Sequence, residues 1–303
     1  MGRCINLPII KVLATEAGLG LNNQILGLVW DQNRKRAVRF ESKQANPLMV
    51  VAEFDGSHWS VVNPIGAAPP SRNGGAFAWD GNLKKVILFG GEDRADTWSW
   101  DGRAWAQLNS GALSTRSGHA MAWNPSRGRV LLFGGHRSGA LVGDTWEWDG
   151  SAWSLLQVSS PPATSRAGLG WDAQRQRMML HGGVTEGGFT TLETWLFDSQ
   201  WKLLETSYSS SSGIPKYGLF GQSVAELPGF GMVSISTNVS KYSEFGYGLK
   251  DRQWDWLQMT GNSEAFYRGE YTASVRATPT NDGLMVVQAS PTAIQTLSLS
   301  VPP

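Results

Sequence analysis

The chain has 303 residues, 41% hydrophobic, 11% aromatic and 17% charged, so it can bury a large core and is not a disordered segment. Its 26 lysines and arginines nearly balance 25 aspartates and glutamates, which removes the basic field that nucleic acid or an acidic membrane would require. No apolar run approaches the ~20 residues of a membrane span, and a single cysteine, Cys4, excludes an internal disulfide framework; both favour a cytoplasmic protein.

The N-terminal INLPIIKVL is broken by Pro8 and Lys11, too early for a signal peptide, yet it has the composition of a strand. LVWDQNRKRAVRFES at 28–42 and FDGSHW, ending at Trp59, form the first copy of a pattern that then sharpens. SRNGGAFAWDGNLKKVILFGG, TRSGHAMAWNPSRGRVLLFGG and SRAGLGWDAQRQRMMLHGG place Trp79, Trp123 and Trp171 each 11 residues before a glycine pair. Trp105, Trp153 and Trp201 close these copies, spaced 48 residues apart. KYGLFGQSV from Lys216 with DRQWDWLQ around Trp254 gives a fifth copy. YRGEYTASVRA, GLMVVQ and AIQTLSLS supply three strands of a sixth, and its missing strand is assigned to residues 4–12.

Each copy reads as four short antiparallel strands. The inner strand ends near the first tryptophan, the second ends in the glycine pair, the third carries TWSW, TWEW or TWLF, and the fourth starts at the closing tryptophan. Asp55-Gly56, Asp101-Gly102 and Asp149-Gly150 are turns between third and fourth strands. The glycine pairs mark close backbone approach, and the tryptophans fill the wedges between neighbouring copies.

These residues resemble the kelch repeat, which has a Gly-Gly ending the second strand, an aromatic in the third and a Trp in the fourth. Residues 72–205 are similar to its bacterial style. The resemblance implies an all-β fold: a six-bladed kelch-type β-propeller with four-stranded antiparallel blades, closed by the N-terminal strand, in a single domain spanning 1–303. It further implies that the loops after the glycine pairs and those before the inner strands share one face and take ligands or peptides.

On that face stand Asn23, Arg72, Arg116, Arg166, Lys216 and Arg268 before the inner strands, and Lys43, Glu92, Asp93, His136, Arg137 and Val184 after the second strands. Arginine binds carboxylate or phosphate through paired hydrogen bonds. Arg72, Arg116, Arg166, Arg137, Lys216 and Arg268, with Tyr217 and Tyr271 beside the last two, are therefore the candidate ligand-binding residues. Arg72, Arg116 and Arg166 also recur together with Asp96, Asp144 and Glu193, so structural ion pairs are an equally direct reading.

His136 with Glu92 or Asp93 is the candidate catalytic set, able to move protons in a cofactor-free isomerase, lyase or cyclase. His119 and His181 are expected in the core and His58 in a turn; no histidine spacing suits a metal, and no metal or cofactor is expected. The E-x-x-x-D-x-x-x-H motif of kelch specifier proteins fits Glu92 and Asp96 but ends at Trp100. The expected function is recognition of a small anionic or carbohydrate-like ligand, or of an acidic protein segment, by a monomer.

Overall fold

A computed structural model describes residues 9–17, 24–43, 46–92, 94–208, 223–228, 230–235, 247–250, 252–256, 260–261, 274–289 and 293–301. Ala76–Asp80, Lys85–Phe89, Thr97–Trp100 and Trp105–Leu108 pair in that order as an antiparallel sheet, from inner to outer edge. The strands are short because turn chemistry interrupts them. Asp80 accepts the amides of Asn82 and Leu83, at 2.9 Å each, in the first turn, and Asp101 accepts those of Arg103 and Ala104 in the last, where Gly102 has φ +97°. The second strand, with Val86, Ile87, Leu88 and Phe89 all fully buried, is covered on both faces by neighbouring sheets.

The same four-strand order recurs at 24–62, 120–155 and 168–204. A five-stranded sheet is built from Ser223–Leu227, Gly231–Ile235, Tyr247–Lys250 and Gln253–Trp256, with Ser207–Tyr208 added in parallel at its outer edge. A second five-stranded sheet contains Ser274–Pro279, Leu284–Ala289, Ala293–Ser300 and Ile9–Ala17, with Thr260–Gly261 outermost. The inner strands pack side by side in chain order, and Ser274–Pro279 packs back on Gln24–Asp31.

The strand expected at residues 4–12 is instead Ile9–Ala17, whose pairing runs from Ile9 opposite Ser300 to Ala17 opposite Ala293, with a bulge between Val12 and Ala14. The partner strand dictates this shift, since Ala293–Ser300 offers pairing positions as far as residue 17, and Leu13 and Ala14 pack on a core containing Met285 and Val287. Nor is it the outer edge, because Ile9 and Ile10 pair in parallel with Thr260 and Gly261. Residues 4–8 lie outside the described residues.

The closing tryptophans join one sheet to the next. Trp153 packs at a tilt against Trp148 of its own sheet, 5.5 Å between centroids, and against Phe89 of the preceding one, at 5.4 Å. Trp201 repeats this with Phe197 and Phe133, and Trp105 with Trp100 and Phe40. The indole N–H then donates across the seam to a threonine on the third strand of the preceding sheet. Trp153 reaches Thr97 at 3.1 Å, Trp201 Thr145 at 2.9 Å, Trp254 Thr194 at 3.0 Å and Trp59 Thr296 at 2.7 Å. At the corresponding position beside Trp105 the chain has Val51, and the buried Trp105 Nε1 has no hydrogen-bond partner.

A buried donor without a partner costs about 1–3 kcal/mol. Thr145→Val should therefore destabilise the protein by about that amount, and Val51→Thr should stabilise it, both read from denaturant unfolding midpoints. A destabilised Val51→Thr would disprove the role given to the threonine.

Candidate functional site

One face of the ring is woven from backbone. Within a sheet, the residue after the glycine pair meets the residue before the inner strand. Ser117 and His136 exchange backbone hydrogen bonds of 3.0 and 2.8 Å, as do Ser165 and Val184, while the Glu92 amide donates to Asn73 O at 2.9 Å. Between sheets, Gly91 N donates to Arg116 O, Gly135 N to Thr164 O, Gly118 N to Gly74 O and Arg166 N to Gly118 O. This contact leaves no room for side chains at the glycine pair: a Cβ on Gly134 would lie 2.4 Å from Thr164 O, and the position has φ +69°.

Arg72 and Arg116 point into the sheets. Their side chains are fully buried. Arg72 forms a two-pronged ion pair with Asp96 and donates to Gly90 O and Pro70 O. Arg116 meets Asp144 at 2.8 and 3.0 Å and donates to Gly134 O at 3.1 Å. Burial alone would raise the Asp96 and Asp144 carboxyls; the arginine and indole hydrogen bonds outweigh it and hold both below the usual aspartate range. Arg72 and Arg116, read from the sequence as candidate ligand-binding residues, thus turn away from solvent and pair with carboxylates of their own sheets, with Arg116 Nε left without a partner among the described residues.

Arg166 behaves otherwise. It stands five residues before Trp171, whereas Arg72 and Arg116 stand seven before Trp79 and Trp123, so Thr164 occupies the buried position. Arg166 takes the left-handed place filled by Gly74 and Gly118 elsewhere, with φ +56°, and its side chain is exposed without an ion pair among the described residues. Arg137 is also exposed. It lies on a small hairpin, His136–Arg137 paired with Ala140–Leu141, whose turn residues Ser138 and Gly139 both have positive φ.

Of the candidate catalytic set, His136 and Glu92 are described, and the two do not form an ion pair. Glu92 accepts the Asn73 amide at 3.1 Å, and no carboxylate among the described residues stands within 4 Å of the His136 ring. Asp93, Lys216, Tyr217, Arg268, Tyr271 and Asn23 lie outside the described residues. Lys43 is turned to Glu41 at 3.5 Å. Among the described residues no group of three or more histidine, cysteine or acidic side chains could hold a metal ion, and no helix is long and apolar enough to cross a membrane.

Two features escaped sequence reasoning. Arg39 is buried, bonded to Glu41 at 2.6 Å and to Glu16 at 3.1 Å, with its guanidinium 4.3 Å from the Trp59 ring centroid. Nothing in the repeat marks it: Glu41 is two residues along the same strand, and Glu16 comes from the distant strand Ile9–Ala17. The second is Thr164, whose signal, a seven-residue offset from the tryptophan, was there to be read.

His119 and His181 are buried and neutral. Burial pushes both down to about 3; the Arg116 charge adds to the effect at His119. His181 replaces the phenylalanine of the other copies and stacks on Trp254, centroids 4.2 Å apart.

Comparison with known proteins fits this geometry. The profile of the KLHDC2/KLHL20/DRC7 Kelch-repeats domain matches residues 37–219. No curated protein sequence matches. A solved structure described as that of YjhT superposes with a TM-score of 0.62 at 14% identity, covering 88% of this chain and 94% of that one, a likeness of fold.

Above about pH 6.5 both histidines are neutral folded and unfolded, so they do not affect stability. As pH falls, the unfolded state takes protons first and stability drops, by roughly 3 kcal/mol for the two together between pH 6.5 and 5. His181→Phe should remove about half of that slope in unfolding midpoints measured across this range; an unchanged slope would refute the assignment.

Proposed function

The chain belongs to the kelch-repeat family, and from that premise we propose that it is a recognition module whose woven face, around the central channel, binds a carboxylate-bearing partner. The partner is an acidic protein segment or a small anionic or carbohydrate-like ligand. The observation that carries this reading is Arg166, which is exposed to solvent and paired with no carboxylate among the described residues. Arg137 stands exposed on the hairpin of the adjacent sheet. Two guanidinium groups on a rigid rim suit a carboxylate better than lysines would, since each offers two parallel donors. Lys216 and Arg268, with Tyr217 and Tyr271, are further candidates by sequence alone, since they lie outside the described residues.

The scaffold for this rim is a six-bladed, single-domain ring closed by Ile9–Ala17, acting as a monomer. Its support is the ring order of the inner strands and two hydrogen bonds linking the first sheet to the last, Trp30 N to Thr278 Oγ1 at 3.0 Å and Trp59 Nε1 to Thr296 Oγ1 at 2.7 Å.

A fluorescent peptide rich in aspartate should bind in a salt-sensitive manner, and its glutamine- and asparagine-substituted form should not. Loss of both guanidinium groups in Arg137→Ala/Arg166→Ala should weaken binding about tenfold or more, as charge-assisted hydrogen bonds of this kind contribute ~1.5–3 kcal/mol each. Equal affinity for the variant would sink the rim assignment. Deleting residues 1–17 should leave Ala293–Ser300 as a bare edge and cause aggregation or a large fall in thermal midpoint; an equally stable truncation would contradict the closure.

A further inference from the structure

The sheet at 168–204 differs from its two predecessors in one respect with chemical consequences. In those, an internal arginine fills the space between the segment before the inner strand, the first glycine of the pair, and the acid that opens the third strand. Here the arginine is replaced by Thr164, and a cavity of about 80 Å³ lies in that space, lined among others by Pro162, Thr164, Leu180, Gly182, Glu193 and Trp195. A single water requires only ~10–15 Å³, so the cavity takes a group several times larger.

Its polar lining reproduces what the internal arginines meet. Gly182 stands where Gly90 and Gly134 offer their carbonyls to Arg72 and Arg116. Glu193 stands where Asp96 and Asp144 stand. Trp195 donates to Glu193 Oε2 at 3.0 Å, just as Trp98 and Trp146 donate to Asp96 and Asp144 at 2.7 and 2.8 Å, which leaves Oε1 for a second donor. The indole is also placed as Trp146 is, 6.0 Å from the Arg116 guanidinium. Thr164 is 4% exposed, and its Oγ1 is buried with no hydrogen-bond partner.

We propose that this cavity is a binding site for a guanidinium group, an arginine side chain presented by another molecule, which takes the place held by the protein's own arginine in the two preceding sheets. The site goes beyond the anion-binding rim: its ligand carries the opposite charge, and neither Arg137 nor Arg166 lines it. A guanidinium would bridge Glu193 and the Gly182 carbonyl, accept the indole face on one side, and lie against the Thr164 hydroxyl. Its planar fork suits this arrangement, whereas a lysine ammonium, a point charge with heavier hydration, matches it less well.

The test uses the whole chain and three probes in calorimetric or NMR titrations: acetyl-Gly-Arg-Gly-amide, its lysine counterpart, and methylguanidinium. The arginine peptide should bind at least tenfold more tightly than the lysine peptide, and methylguanidinium should compete for the same site. Glu193→Gln should weaken arginine binding at least tenfold. Thr164→Arg, best combined with Glu193→Asp to restore the preceding sheets' pair, should abolish binding and raise the thermal midpoint by ~2 °C or more, because the cavity then holds its own arginine. Arg137→Ala/Arg166→Ala should bind the arginine peptide unchanged, which separates failure of this site from failure of the rim. No saturable arginine binding, equal binding of lysine, or binding that survives both Glu193→Gln and Thr164→Arg would overturn the proposal.

Discussion

Everything on the woven face depends on how one sheet meets the next, and that meeting is made by the closing tryptophan. The indole is held between an aromatic of its own third strand and the aromatic that precedes the neighbour's glycine pair. Burial of such a ring removes ~150–250 Å² from water and contributes several kcal/mol at about 25 cal/mol per Å². The hydrogen bond from indole to threonine adds roughly 1 kcal/mol, far less. Burial of the indole therefore provides the adhesion, while the directional bond from Trp153 to Thr97 or Trp201 to Thr145 fixes the depth at which neighbouring sheets sit. Depth matters, because the rim consists of backbone bonds that tolerate little displacement.

With depth fixed, the glycine pairs follow. Gly91 and Gly135 donate to carbonyls of the next sheet at 2.9 and 2.8 Å, and such an approach has no room for a Cβ. The same approach traps the residue whose carbonyl is used. In the sheet at 120–155 that residue is Arg116, whose side chain turns inward to Asp144 of its own sheet. The rim thus consumes the arginines that its own repetition supplies. At Arg166 a shift in register delivers the guanidinium to solvent instead.

Repetition explains what the sequence disclosed. The strand order, the Asp-Gly turns and the sheet-joining tryptophans recur at fixed spacing, so Trp105, Trp153 and Trp201 announce one another and the family. Pairs within one repeat, such as Arg72 with Asp96, were legible as an alternative for the same reason. The choice between ligand and ion pair was not, since spacing does not say which way a side chain turns. The exact bounds of Ile9–Ala17 were hidden too: that strand is set by its partner at Ala293–Ser300, nearly the whole chain away, rather than by any local signal. Arg39 was invisible too, being non-repeating and neutralised in part by Glu16 from the N-terminal strand, beside Glu41 on its own strand.

The sheet at 168–204 departs from the repeat in two places that offset one another. Removing a buried arginine while keeping its acid in place leaves an uncompensated charge, a change that costs ~3–5 kcal/mol when the pair is deeply buried. Asp96 and Asp144 keep only 20% and 23% of their side chains in contact with solvent. Where Thr164 replaces the arginine, the acid is Glu193, which is exposed; the extra methylene carries the carboxylate outward to water. The charge is thereby tolerated without an internal partner, and the space the arginine would fill stays open between a solvated acid and an indole. Two substitutions that look like decay of the repeat are, in energetic terms, a matched exchange of an internal ion pair for an accessible acidic cavity.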